Sequence, residues 1–265
     1  MECLLLHGLG GTPDELTPLA QRLAAAGLRV STPLLPGHGA SEAAWLASAY
    51  GQWRAAARAA YAACAAQGPT LLGGYSLGGL LALDLAVEAA AQAPAHGEEL
   101  PAPAGLLAVA TPLFLHHWRP FFTVGWRCLA LPLWSRLTPV LRLPPRSAAS
   151  RAVAPWRGFE TVCSLRHLRQ MAQAQARVRR GLGLLRAPLC VIQLWSDASC
   201  HPYNAWYLAR RAAAAPTRLH LLPVRSPHGG HLPISHRESR ETVAALAVEF
   251  ARSLSGGPGS AAPCA

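Results

Sequence analysis

The chain has 265 residues, 51% of them hydrophobic and 14% charged, a balance that excludes a disordered polymer and suits one large α/β domain with room for an inserted subdomain. Its formal net charge of +11 rests on arginine alone, scattered along most of the chain. No nucleic-acid partner is therefore expected, while weak association with anionic membrane surfaces stays open. The one dense group, Arg177, Arg179 and Arg180, fits the solvated end of a helix. Seven cysteines, odd in number and without zinc-type spacing, read as buried free thiols in a reducing compartment and predict no metal. Glu2 stands where a secretory signal would carry a basic residue, and no uninterrupted apolar segment is long enough to cross a bilayer, so the expected location is cytoplasmic.

Strand-like and helix-like segments alternate from the start. The apolar run 3–6 reads as a strand ending at His7-Gly8-Leu9-Gly10-Gly11. Thr12-Pro13 then offers an N-cap and an N1 proline to a helix running to about residue 26. Residues 28–32 predict the next strand, Leu35-Pro36-Gly37-His38-Gly39 a loop, and the alanine-rich stretch 52–66 a helix. The run 70–73 predicts a buried strand and 77–86 a helix directly after it, followed by a Pro/Gly/Glu-rich loop over 94–103 and a strand over 105–110. Further on come a strand over 188–195, a helix over 203–214, a strand over 217–222, a final amphipathic helix over 235–254 and a flexible tail over 255–265. Short buried strands joined by helices predict an α/β fold, a mainly parallel sheet with helices on both faces.

Between residues 111 and 186 the alternation fails. This span is rich in Trp, Phe, Leu, Pro and Arg, including Trp118, Phe121, Phe122, Trp126, Leu129, Leu131, Leu133, Trp134 and Leu137. Its second part, 160–180, has helical spacing through Val162, Leu165, Leu168 and Ala172. It reads as a helical cap inserted over 112–186 into a core formed by 1–111 and 187–254. Its aromatics either bury against the sheet or line an apolar pocket above Ser76.

Gly74-Tyr75-Ser76-Leu77-Gly78 falls at a predicted strand-to-helix junction, the setting of a nucleophile elbow, where a tight turn needs glycines on either side of the serine. A serine hydroxyl is a poor nucleophile near neutral pH and needs a base, which in turn needs an orienting acid. In the chain order Ser, acid, His, elimination is possible because the chain has three aspartates. Asp14 precedes the serine, and Asp84, eight residues beyond Ser76 in the helix, should point away. Asp197 directly follows a strand at its carboxyl end, where sites of open α/β sheets lie, and is the candidate acid; Glu160, inside the cap, is the alternative. Two histidines lie between the last strand and the last helix, His228 and His231; His231 is favoured because it follows two glycines and sits just ahead of the helix. His38 reads as a structural loop residue, and His116, His117, His167, His201, His220 and His236 as ordinary surface or loop residues. The backbone N–H groups of Leu77, after the nucleophile, and of Leu9, after the first strand, are the expected oxyanion donors.

Together, HGLGGT at 7–12, PGHG at 36–39, GYSLGG at 74–79, Asp197 with Pro202 five residues on, and GGH at 229–231 resemble small bacterial α/β-hydrolase carboxylesterases, relatives of monoacylglycerol lipases. The resemblance spans nearly the whole chain. It implies an α/β-hydrolase fold and a cofactor-independent serine hydrolase acting on short- to medium-chain esters or monoacylglycerols through an acyl-enzyme. Carried over, it makes Ser76 the nucleophile, Asp197 the orienting acid, His231 the base, and Leu9 and Leu77 the oxyanion donors. Leu194 stands where a glycine often precedes the acid. Thioester hydrolysis or acyl transfer on the same residues, and a non-catalytic hydrophobic-ligand-binding protein of the same fold, are the alternatives.

Overall fold

The computed structural model describes residues 1–91, 99–114 and 131–255. The expectations for His116, His117, Trp118, Phe121, Phe122, Trp126 and Leu129, and for the tail past residue 255, lie outside the described residues, as do Cys128 and Cys264. Strands β1 (Glu2–Leu6), β2 (Arg29–Ser31), β3 (Thr70–Tyr75), β4 (Gly105–Val109), β7 (Leu189–Leu194) and β8 (Thr217–Leu222) form one sheet in the order β2-β1-β3-β4-β7-β8, with every pairing parallel.

The apolar runs of the central strands are continuous because both faces of the sheet are covered. Leu4, Leu6, Leu72, Leu106, Ala108, Leu189 and Val191 point to one side, packing with helices α3 (Tyr50–Ala65), α4 (Leu77–Ala91), α7 (Leu165–Gly181) and α8 (Tyr203–Arg211). Their sequence neighbours Cys3, Leu5, Leu71, Leu107, Val109, Cys190 and Ile192 point to the other, packing with α1 (Thr17–Ala25) and α9 (Arg240–Ser255). This period of two follows from the pleat, and each fully buried leucine contributes roughly 1.5–3 kcal/mol. Helix α4 is buried on every side from Leu77 through Val87, and Asp84 is the one charged residue in that stretch.

Several boundaries differ from expectation for identifiable reasons. The first helix opens as a 3-10 turn, Pro13–Leu16, before α1, because Pro18 has no N–H to continue the ladder. Helix α7 begins at Leu165, capped by the Ser164 hydroxyl; residues Val162–Ser164 are instead strand β6, paired antiparallel with β5 (Val140–Arg142). The inserted segment is thus not purely helical: it carries this small sheet beside α5 (Leu131–Leu137) and α6 (Ala148–Val153). Helix α9 starts at Arg240, after a run of turns in which the Ser239 hydroxyl donates to the Pro233 carbonyl at 2.8 Å. A short helix, α2 (Glu42–Ala47), N-capped by Ser41, lies between the loop expected over 35–39 and the helix expected over 52–66, where the sequence predicts no element.

Asp84 does turn away from Ser76. It is 1% exposed and receives Arg177 through two nitrogens, Arg54 Nε at 3.0 Å and the Tyr50 hydroxyl at 3.1 Å, tying α3, α4 and α7 together. The arginine group at the end of α7 is therefore not simply solvated: Arg177 is held by Asp84, and Arg179 donates to the Leu113 carbonyl and lies over the Phe114 ring. Two histidines read as ordinary surface or loop residues are fully buried. His167 donates from Nε2 to the Ser48 carbonyl at 3.0 Å, between Trp45 and Trp53, and His236 donates to the His228 carbonyl at 3.2 Å. Cys3, Cys64, Cys190 and Cys200 are buried free thiols, and Cys163 is half-buried.

Candidate active site

Ser76 sits on the turn between β3 and α4 with φ of 53°, in the left-handed region, a strain of about 1–2 kcal/mol. The turn is held because Ser76 N donates to the Val109 carbonyl at 2.9 Å while Leu80 N donates to the Ser76 carbonyl at 3.1 Å. Both flanking glycines are required by backbone contact. A Cβ on Gly74 would lie 2.4 Å from the Gly78 carbonyl carbon, and one on Gly78 would lie 1.9 Å from the Leu6 carbonyl oxygen. The start of α4 therefore rests directly on the end of β1, which brings the 7–11 loop beside Leu77. The first amides of a helix have no intrahelical acceptor and lie at the positive end of its dipole.

The residues singled out from chain order converge. Ser76 Oγ is 3.1 Å from His231 Nε2, and His231 Nδ1 is 2.9 Å from Asp197 Oδ2. The carboxylate fixes the tautomer: Nδ1 carries the proton and donates, leaving Nε2 as the acceptor facing the hydroxyl. Asp197 is held rigidly at the carboxyl end of β7. Its Oδ1 accepts from Ser199 N (2.8 Å) and Cys200 N (2.7 Å), and its Oδ2 also accepts from Gln193 Nε2 at 2.8 Å. The acid is 2% exposed, whereas the His231 side chain is 28% exposed, so the carboxylate is sealed while the imidazole remains reachable. Neither rival takes part: Glu160 pairs with Arg151 at 3.2 Å, and His228 is exposed. His38 is buried in its loop, with Nδ1 3.2 Å from the Pro36 carbonyl.

Three further residues were not legible in the sequence. Tyr75, the variable position of the elbow, donates its hydroxyl to the His231 carbonyl at 2.6 Å, fixing the backbone that carries the imidazole. Gln193 supports Asp197 from within the strand. Glu15 turns inward from the 3-10 turn, where its carboxylate accepts from Gly8 N and from the Trp156 indole; burial pushes it up to about 7. His7 is fully buried, accepting from Leu35 N at Nε2 (3.0 Å) and donating from Nδ1 to the Gly8 carbonyl (3.0 Å). Burial holds it down at about 4, so it is neutral near pH 7. A serine hydroxyl hydrogen-bonded to an imidazole that a carboxylate orients, at the start of a helix with free main-chain N–H groups, supplies the parts needed for acyl transfer.

A profile of the family described as Serine aminopeptidase, S33 (Hydrolase_4) matches residues 1–226. Over 84 residues the chain is 37% identical to the thermostable monoacylglycerol lipase of Bacillus sp. (strain H-257); the match spans 31% of this chain and 34% of that relative's length. Among solved structures, one from the work on LipS and LipT, two metagenome-derived lipolytic enzymes, superposes with a TM-score of 0.75 at 21% identity, covering 95% of this chain and 93% of the other. The monoacylglycerol lipase of Paleococcus ferrophilus superposes with a TM-score of 0.71 at 17% identity, covering 96% and 94%. At those identities the structural likeness speaks for the fold, which the parallel sheet and elbow already describe. The chain belongs to the Serine aminopeptidase, S33 family and is an α/β-hydrolase related to monoacylglycerol lipases.

Proposed function

We propose that this protein hydrolyses carboxylic esters, with Ser76 as nucleophile, His231 as general base, Asp197 as orienting acid, and the Leu9 and Leu77 amides as oxyanion donors. The reading is carried by one observation, the hydrogen-bonded line Ser76 Oγ, His231 Nε2, His231 Nδ1, Asp197 Oδ2 at 3.1 and 2.9 Å. Nε2 takes the hydroxyl proton as Oγ attacks the ester carbonyl. The resulting tetrahedral oxyanion is stabilised by main-chain N–H groups, and the imidazolium by the sealed carboxylate. Collapse passes the proton to the leaving alcohol and leaves an acyl-enzyme. Water, deprotonated by the same imidazole, then releases the acid and restores the hydroxyl. These steps need no cofactor.

Short- to medium-chain esters or monoacylglycerols are the favoured substrates, supported by the monoacylglycerol lipase relatives; we read segment 112–186 as the cap over the apolar acyl chain. The same atoms accept a thioester, so matched oxygen and sulfur esters decide that preference. Among the described residues no helix is long and apolar enough to cross a membrane. We propose the Trp/Phe-rich segment 118–134 and nearby arginines as the point of weak contact with anionic lipid surfaces; of its described residues, Leu133 is exposed. Replacing Ser76 with Ala should lower turnover of an activated ester by about 10⁴-fold, measured on freshly purified protein. A Ser76→Ala variant hydrolysing at near the native rate would remove the assignment.

A further inference from the structure

We propose that Glu15 is a positioning residue for the reaction above, its carboxylate holding the 7–11 loop in register with Ser76 and standing as a second negative charge within Coulombic reach of His231. The inference rests on the proposed ester hydrolysis and adds a residue to it.

The first observation is where the carboxylate lies. Glu15 belongs to the 3-10 turn Pro13–Leu16, yet it is only 7% exposed. Among the described residues no arginine or histidine forms an ion pair with it. Burying a carboxylate without a counter-ion is costly, so a solvated-turn role does not account for it. Its neighbours make room for it. A Cβ on Gly11 would sit 2.5 Å from Glu15 Oε2, and one on Gly8 would sit 3.1 Å from Oε1 and 2.7 Å from Tyr75 Cε1. The glycines of this loop thus accommodate the carboxylate and the Tyr75 ring.

The second observation is what the carboxylate binds. Oε1 accepts from Gly8 N and Oε2 from the Trp156 indole, so both oxygens face donors. An ionised carboxylate satisfies both, whereas an amide would set its NH₂ against one of them. On the far side, His7 Nδ1 donates to the Gly8 carbonyl. Gly8 is therefore gripped through both its N–H and its C=O, and the next amide along the chain is that of Leu9. Trp156 brings the inserted segment onto the same carboxylate. That segment also holds the loop directly, Phe159 N donating to the Gly10 carbonyl at 3.0 Å.

The third observation is charge. Tyr75 stands against Gly8 with its hydroxyl on the His231 carbonyl, and Glu15 lies within Coulombic reach of both Tyr75 and His231. Asp197 and Arg146 are the other charged groups acting on Tyr75. When His231 takes the Ser76 proton it becomes an imidazolium, and a nearby carboxylate favours that state without itself moving a proton. Because burial brings Glu15 to about 7, its ionised fraction rises with pH through neutrality, alongside the deprotonation that His231 itself needs to act as base.

The test uses the full chain, with p-nitrophenyl butyrate as probe and Ser76→Ala as blank. Kinetics are followed from pH 5.5 to 9 alongside thermal melting. Glu15→Gln is expected to melt within a few degrees of the native protein, keep KM within about twofold and lose about 10–100-fold in kcat at the alkaline plateau, where both His231 and Glu15 of the native protein are in their working forms. A folded Glu15→Gln with kcat within twofold of native, or with its whole loss in KM, overturns the proposal. If Glu15→Gln does not fold, Trp156→Phe, which removes one of the two donors, should lower kcat by about 3–10-fold at unchanged KM, and an unchanged kcat overturns it. Absence of Ser76-dependent turnover in the native protein would instead strike down the ester-hydrolase reading itself, and this proposal with it.

Discussion

Gly78→Ala separates two opposite physical expectations. In an exposed helix, alanine for glycine stabilises by roughly 0.5–1 kcal/mol, through propensity and through a less flexible unfolded chain. At Gly78 the added Cβ would stand 1.9 Å from the Leu6 carbonyl oxygen, 2.3 Å from its carbon and 2.8 Å from the His7 carbonyl oxygen. All three are backbone atoms, so no rotamer change relieves them. Relaxed C···O contacts settle at about 3.3 Å or more, so α4 and the end of β1 must part by about 1.4 Å. Overpacking of that kind costs about 2–3 kcal/mol net, roughly a 5–10 °C fall in melting temperature. The same displacement separates Leu77 from Leu9, and misplacement on this scale costs about 10²-fold in kcat. Gly51, in α3 with nothing within 4 Å of its notional Cβ, is the control: Gly51→Ala should stabilise by about 0.5 kcal/mol and leave turnover unchanged. Melting curves and p-nitrophenyl butyrate kinetics on both variants provide the assay. A Gly78→Ala protein as stable as Gly51→Ala and fully active would refute the close-approach account of the elbow.

Asp84→Asn should destabilise by about 2–3 kcal/mol in chemical denaturation, because Arg54 and Arg177 lose a nearly inaccessible partner while staying partly screened themselves; kcat below the melting range should not change. Stability should fall as pH drops from 6.5 towards 4, because buried His7 and His167, both near 4 in the folded chain, take up protons there only on unfolding. Each contributes up to about 3 kcal/mol to the loss, a slope that urea titrations at stepped pH would reveal and that a pH-independent midpoint would contradict. His228→Ala should retain turnover, whereas His231→Ala should lose about 10³-fold or more; the reverse ranking would move the base. Leu133→Ser should lower the fraction floating with anionic vesicles, and the absence of any lipid-bound fraction in the native protein would remove segment 118–134 from lipid contact.

The central strands, the elbow and α4 were legible because their signals are local: uninterrupted apolar runs for strands covered on both faces, and glycines where backbones touch. Chain order also narrowed the acid and base, since few aspartates and few histidines fall in the permitted intervals. What stayed hidden depends on contacts between distant segments. An acid in the first turn of a helix reads as a dipole-complementing surface residue, and nothing near Glu15 in sequence announces that Trp156 will close over it. His167 looks polar until Ser48, Trp45 and Trp53 surround it, and Arg177 looks solvated until Asp84 approaches from α4. Strands β5 and β6 have three residues each and pair across an intervening helix, too short and too non-local for a periodicity to show.

The central claim, that His231 activates Ser76 for covalent attack, is tested most directly by intact-protein and peptide mass spectrometry after brief exposure to a fluorophosphonate. The account predicts one phosphonyl adduct per native chain, located on the peptide containing Ser76. It also predicts none on Ser76→Ala and labelling slowed by about 10³-fold or more on His231→Ala. Adducts on another residue, or labelling indifferent to removal of either side chain, would contradict it.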